Sequence, residues 1–160
     1  MAWQEAEVRL FHGTSTVCLD AIASEGITPR PVHDNPDRIC VYLAATEDLA
    51  AMYAELACQR RGGKPVVLEV DPDQLEYGCL EPDDFDLQNY IDDLHDPDRG
   101  GDIGMLSGME VDERLLPFRS WHEVPPDVSL AVTGQVAYVA TIPVEALVAG
   151  LPDMAPIPGP

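Results

Sequence analysis

The chain has 160 residues, 46% apolar and 24% charged, enough for one sizeable core without disulfides or metal and too apolar for a fully disordered protein. Nine Lys and Arg face 29 Asp and Glu, a net charge of −20 that repels phosphate backbones and argues against bulk nucleic-acid binding. No apolar run approaches the ~20 residues that cross a bilayer, and Met1 to Glu7 carries neither the basic start nor the apolar run of a secretory leader, so a cytoplasmic protein with no membrane contact is expected.

In chain order, Glu7 to Phe11 predicts a strand that leads into His12-Gly13-Thr14-Ser15. A short helix follows, capped by Ser15 or Thr16, with Val17, Leu19, Ala21 and Ile22 as its apolar residues and Gly26 as its stop. Three prolines between Pro29 and Arg38 predict a loop, and Ile39 to Ala44 a second strand. Thr46 starts a longer helix. Glu47 and Asp48 suit its positive N-terminal end, Leu49, Met52, Tyr53, Leu56 and Ala57 follow helical spacing, and Gly62-Gly63 ends it. Pro65 to Val70 predicts a strand.

The character then changes. Asp71 to Asp98 holds eleven acids and no Lys or Arg, and reads as a solvated surface broken by turns, with one or two helical turns over Gln88 to Leu94. Val128 to Val132 and Gln135 to Thr141 predict two strands joined at Thr133-Gly134. Ile142 to Leu147 predicts a short helix with Pro near its start. The organisation expected is one domain over 1–150, with a weakly patterned acidic insert at 71–127, and a Pro-rich tail over 151–160. Strands interleaved with two early helices, then mostly strands, predict an α+β fold.

Cys18, Cys40, Cys58 and Cys79 lie about twenty residues apart with no C-x-x-C, which argues against zinc and for buried free thiols. His33 with Asp34, and His95 with Asp96 and Asp98, have no second histidine at ligand spacing, so no metal site is expected. The acidity leaves room for a local basic pocket, because the few Arg residues can cluster in space.

Three places carry chemistry. At the first, His12 ends a strand and Gly13 follows it, so an imidazole nitrogen and a bare backbone can meet a ligand. At the second, Tyr42 lies on a strand and Tyr53 on the next helix, two rings that can sandwich a flat ligand. At the third, Gln135 opens an apolar strand with an amide that donates and accepts at one point.

In this order, strand, His-Gly-Thr-Ser, helix, Glu-Gly-Ile, Val-Tyr-Leu-Ala, a helical Tyr and Val-Val-Leu-Glu-Val, the chain resembles the ADP-ribosyltransferase fold. It is closest to the His-Tyr-Glu branch, which includes the poly(ADP-ribose) polymerases and diphtheria-toxin-like enzymes. The resemblance covers about Val8 to Val70 and resumes from Val128 to Leu147. It implies a split β-sandwich with a cleft between two sheets that binds NAD as cosubstrate. It further implies that His12 bonds the adenosine ribose, that the Gly13 backbone grips the nicotinamide carboxamide, and that Thr14 or Ser15 supports the ribose. Tyr42 and Tyr53 would clamp the nicotinamide ring, and Gln135 falls where the family places its third residue, usually acidic.

Cleaving the nicotinamide–ribose bond builds oxocarbenium-like charge, which the cleft must orient and stabilise. Gln135 is neutral and cannot be a general base, so chain elongation is not expected; either a nearby acid substitutes, with Glu123 or Glu110 as the candidates, or the acceptor needs little activation. Ala50 is a second departure, standing where the better-known polymerases have a hydroxyl touching the carboxamide. The function implied is mono-ADP-ribosyl transfer from NAD to a macromolecular acceptor, expected to be protein, with release of nicotinamide. A toxin, an effector and a housekeeping enzyme would share this pattern. One alternative is a non-catalytic module that binds NAD, an ADP-ribosyl group or a protein through the same fold; in a protein with no ligand, Tyr42 and Tyr53 should pack in the core with no cleft between them. Another is an RNA 2′-phosphotransferase-like enzyme, whose relatives carry a second histidine where this chain has Val41-Tyr42. Trp121-His122 precedes the last strands, either lining the acceptor side or forming a loop contact.

Overall fold

The computed structural model describes residues 7–32, 35–95 and 113–152. Strand β1 (Leu10–Ser15) leads through a 3-10 turn into α1 (Leu19–Glu25). Strands β2 (Arg30–Val32) and β3 (Asn35–Ala44) precede α2 (Glu47–Arg61) and β4 (Pro65–Val70). Then come β5 (Leu80–Pro82), α3 (Phe85–His95), α4 (Pro126–Thr133) and β6 (Gln135–Tyr138). The strands run in the order β4-β1-β3-β6-β5, with β2 on β3, and every ladder is antiparallel. This is an α+β arrangement. Among the described residues, no helix is long and apolar enough to cross a membrane.

Several local expectations change. Strand β1 begins at Leu10 and runs through His12-Gly13-Thr14-Ser15, because all six of its residues pair with β4, from Leu10 opposite Val70 to Ser15 opposite Pro65. The predicted loop before Ile39 is instead the hairpin partner and first half of β3, with Arg30 opposite Cys40 and Pro31 opposite Ile39. Pro31 is tolerated because β2 lies at an edge. The predicted strand at Val128 to Val132 is helix α4. Pro126 stands in its first turn, Asp127 faces the positive end, and Gly134 closes it in the left-handed conformation at φ 78°. Helix α3 spans eleven residues where one or two turns were expected. Strand β6 stops at Tyr138, and only Val144–Ala146 of the last predicted helix forms a 3-10 turn.

Helix α2 forms as its sequence predicts. The Thr46 side chain accepts from the Leu49 N–H at 3.2 Å, and Gly62 ends the helix at φ 83°. Its packing explains Gly13. A Cβ there would overlap the Ala50 carbonyl oxygen and lie 2.7 Å from the Ala54 nitrogen. Gly13, Ala50 and Ala54 together let the helix rest directly on β1. The opposite face of the sheet holds the main core, with Leu10, Leu19, Ile22, Val41, Leu43, Val70, Val136 and Ile142 among its buried residues. A second apolar cluster of Leu87, Ile91, Leu115 and Val124 lies within the stretch expected to be weakly patterned.

The sheet is continuous but nearly parted. Strand β1 pairs with β4 over six residues, and β3 with β6 over four, yet β1 and β3 are paired at one position, Phe11 opposite Ala44. The two separate sheets expected are therefore joined, with an opening where β1 and β3 diverge.

Candidate functional site

A cavity of about 620 Å3 occupies this opening. Its wall includes His12, Gly13, Thr14, Tyr42, Tyr53 and Gln135, residues from β1, β3, α2 and β6 brought to one place. Its volume falls in the range of small-molecule sites.

The His12 ring lies 3.1 Å, Nδ1 to oxygen, from the Tyr42 carbonyl. A proton on Nδ1 donates to that carbonyl and leaves Nε2 as an acceptor. Burial pushes the imidazole below its ordinary pKa, so it is neutral at pH 7. Thr14 is buried in the cavity wall. Ser15 is not part of that wall: its hydroxyl donates to the Gly62 carbonyl and accepts from the Val17 N–H at 3.3 Å. The alternation of β1 turns Ser15 away from the face that carries Thr14, so Ser15 anchors the chain after α2 and is removed from the candidate ligand contacts.

The Tyr42 hydroxyl donates to Asp84 at 2.9 Å, and burial, then neighbouring negative groups, push its pKa up. The Gln135 Nε2 donates to the Tyr53 hydroxyl at 2.7 Å. Both tyrosines are half-buried along the cavity and not sealed in the core. Gln135 is 5% exposed, and its carbonyl accepts from the Ser129 hydroxyl at 2.7 Å. Ser129 in turn accepts from the Asp83 N–H at 2.9 Å. One buried serine on α4 thus ties the residues after β5 to the start of β6.

That tie brings in three residues the sequence did not single out. Asp83, Asp84 and Asp86 line the cavity, though their acid-rich stretch reads as solvated surface. Asp84 also lies 3.3 Å from the Arg38 guanidinium. Arg38 donates to the Pro82 carbonyl at 2.8 Å and to Glu81 at 3.2 Å, and stacks 4.5 Å from the Trp121 ring centroid. Nothing in the predicted loop marked Arg38 as a buried clasp. Burial, then the Asp84 charge, raise the Asp86 pKa.

Arg30, Arg60 and Arg61 also line the cavity, a local basic group in a strongly acidic chain. Arg60 lies two helical turns beyond Tyr53, about 10 Å along the α2 axis. The cationic and acidic groups thus belong to different elements.

Other expected residues lie elsewhere. Glu123 is exposed and accepts from the Arg119 and Ser120 N–H groups at 2.7 and 3.0 Å, which hold its carboxyl below the ordinary range. It caps a turn and is no part of the cavity wall that holds Gln135. Glu110, His33, Asp34, Asp96 and Asp98 lie outside the described residues. The His95 Nε2 meets the Phe118 carbonyl at 2.8 Å, a link within the second cluster. Trp121 contacts Arg38 and His122 and is not in the cavity wall. Ala50 is buried beneath Gly13, where its small side chain serves helix packing. All four cysteines are free, with Cys40 buried and the other three half-buried. Among the described residues no group of three His, Cys, Asp or Glu could hold a metal ion.

The chain matches no protein family, no curated protein and no solved structure.

Proposed function

We propose that the chain is an NAD-dependent mono-ADP-ribosyltransferase, acting on a macromolecular acceptor, most simply a protein. The observation that carries this is the meeting of His12, Gly13, Thr14, Tyr42, Tyr53 and Gln135 on one cavity where β1 and β3 part. That opening supports the cleft of a split β-sandwich. Neutral His12 offers Nε2 to a ribose hydroxyl. The tyrosines offer apolar ring surface to the nicotinamide, and Arg30, Arg60 and Arg61 offer charge to the diphosphate. Gln135, held by Tyr53, orients the ribose. As the C1′–N bond lengthens, the electron pair moves to the pyridinium nitrogen and nicotinamide leaves neutral. Preorganised dipoles then stabilise the charge on the ribose.

The test is nicotinamide release from NAD by the purified chain, with and without cell lysate. Lysate-dependent release that falls on the order of 100-fold or more in His12→Ala and Tyr42→Ala supports transfer. A second reading is favoured by the neutrality of Gln135: a module that binds NAD or ADP-ribose without cleaving it. NAD that raises the melting temperature with no nicotinamide release identifies that module. Neither release nor stabilisation overturns the NAD reading.

A further inference from the structure

The proposed transfer needs a base. An acceptor hydroxyl or amine that attacks C1′ must lose a proton, and Gln135 cannot take it. Four carboxylates line the cavity: Glu25, exposed at the end of α1, and Asp83, Asp84 and Asp86, which follow β5 and so stand next to the strand that Gln135 opens; the surroundings of these three separate them. Asp84 is occupied by the Tyr42 hydroxyl and the Arg38 guanidinium. Asp83 is buried at 3% exposure and fixed through its N–H to Ser129. Asp86 stands in the first turn of α3, half-buried, and no hydrogen bond or ion pair engages its carboxylate among the described residues.

We infer that Asp86 is the general base of the transfer, taking from α3 the role that a neutral residue on β6 cannot perform. The inference rests on the transferase reading. Asp86 lines the same cavity as Tyr53 and Gln135, the hydrogen-bonded pair proposed to hold the ribose. In the step, the acceptor O–H or N–H gives its proton to the Asp86 carboxylate while the acceptor forms its bond to C1′. The C1′–N bond breaks, and its electron pair leaves with nicotinamide. The protonated carboxyl then returns the proton to water.

The charged and titratable neighbours are Asp83 and Asp84 before the helix, Tyr53 on α2 and Tyr90 on the same helix, with Arg38 behind Asp84. Burial and the Asp84 charge both favour the protonated carboxyl, which places the base nearer to neutral pH than an exposed aspartate.

The test compares the wild type with Asp86→Asn, Asp86→Glu and Glu123→Gln, using NAD with cell lysate and following nicotinamide release against pH. NAD binding is followed separately by calorimetry. Asp86→Asn is expected to slow release on the order of 100-fold or more, with NAD affinity within a few-fold of the wild type. The acidic limb of the pH profile should disappear in Asp86→Asn and persist, shifted, in Asp86→Glu. Glu123→Gln should keep the wild-type rate. The melting temperature of Asp86→Asn at pH 7 should equal or exceed that of the wild type, because the amide removes a carboxylate that folding disfavours. Wild-type rates in Asp86→Asn overturn the assignment while the transferase reading stands. An Asp86→Asn protein that loses NAD affinity in parallel with rate makes the residue a binding group and overturns it too. A wild-type chain that neither binds nor cleaves NAD overturns both.

Discussion

The two sides of the cavity were built by different means. One side, from β1 through α2, is made mostly of elements whose own sequence specifies them: a capped helix with acids at its start and Arg60-Arg61 at its end, and the apolar strand run at Cys40 to Ala44. The other side, from β5 through α3 to α4 and β6, is short elements and turns held by individual polar contacts, with Ser129 and Arg38 as the joints. The first side places imidazole, aromatic rings and arginines, with the exposed Glu25 at the end of α1. The second places carboxylates and an amide. The groups proposed to bind NAD thus sit on elements with strong local signals. The groups proposed for acid–base work depend on long-range packing, and residues in such surroundings acquire shifted titration.

Breaking the first side should cost most. Gly13→Ala forces a methyl group against the α2 backbone at Ala50 and Ala54. The expected loss is about 3 kcal/mol of folding stability, read by urea denaturation. A variant as stable as the wild type would mean that α2 does not rest on β1 as closely as described.

Breaking the second side should cost less in stability. Ser129→Ala strands the Asp83 N–H and one bond to the Gln135 carbonyl, which still meets the Thr133 hydroxyl at 3.3 Å. The expected loss is about 2 kcal/mol. It should lower nicotinamide release more than NAD affinity, because the carboxylate side moves while β1, β3 and α2 remain in place. Kinetics beside calorimetry would separate the two effects.

The smallest effect sharpens the comparison through pH. Unfolded His12 takes up a proton near pH ~6.5, whereas burial holds the folded imidazole neutral to lower pH. Between those values the unfolded state binds more protons, so stability is full above ~6.5 and falls as the pH drops below it. His12→Gln should flatten that part of the stability profile, measured by denaturation from pH 7.5 to 5. A profile unchanged by the substitution would mean that His12 is hydrated.

Much of the first side was legible in the residues. Strand β4, the Thr46 cap and the Gly62 stop came from local chemistry, and His12, Gly13, Thr14, Tyr42, Tyr53 and Gln135 do line one cavity. The misreadings also have local causes. Val128 to Val132 has the branched, apolar composition of a strand, but Pro126 and Gly134 are helix boundary residues and those signals prevail. Gly13 satisfies helix packing as well as ligand access, and a sequence shows only that a glycine is present. Ser15 shares a motif with Thr14 but faces the other way, because a strand alternates where a loop need not. Glu123 seemed free for chemistry and is instead held by the N–H groups of its own turn.

By itself the sequence determined the acidity, the α+β class, the early helices and the residue types that suit a flat, charged ligand. These depend on composition, periodicity and caps, which act over a few residues. Tertiary structure alone decided that β1 and β3 pair at a single position, Phe11 opposite Ala44, that Arg38 clasps Asp84, and that Asp86 reaches the cavity with no hydrogen bond or ion pair to its carboxylate among the described residues. Each of these is a contact between residues far apart in the chain, created when burial and hydrogen bonding are satisfied together, and no local pattern records it.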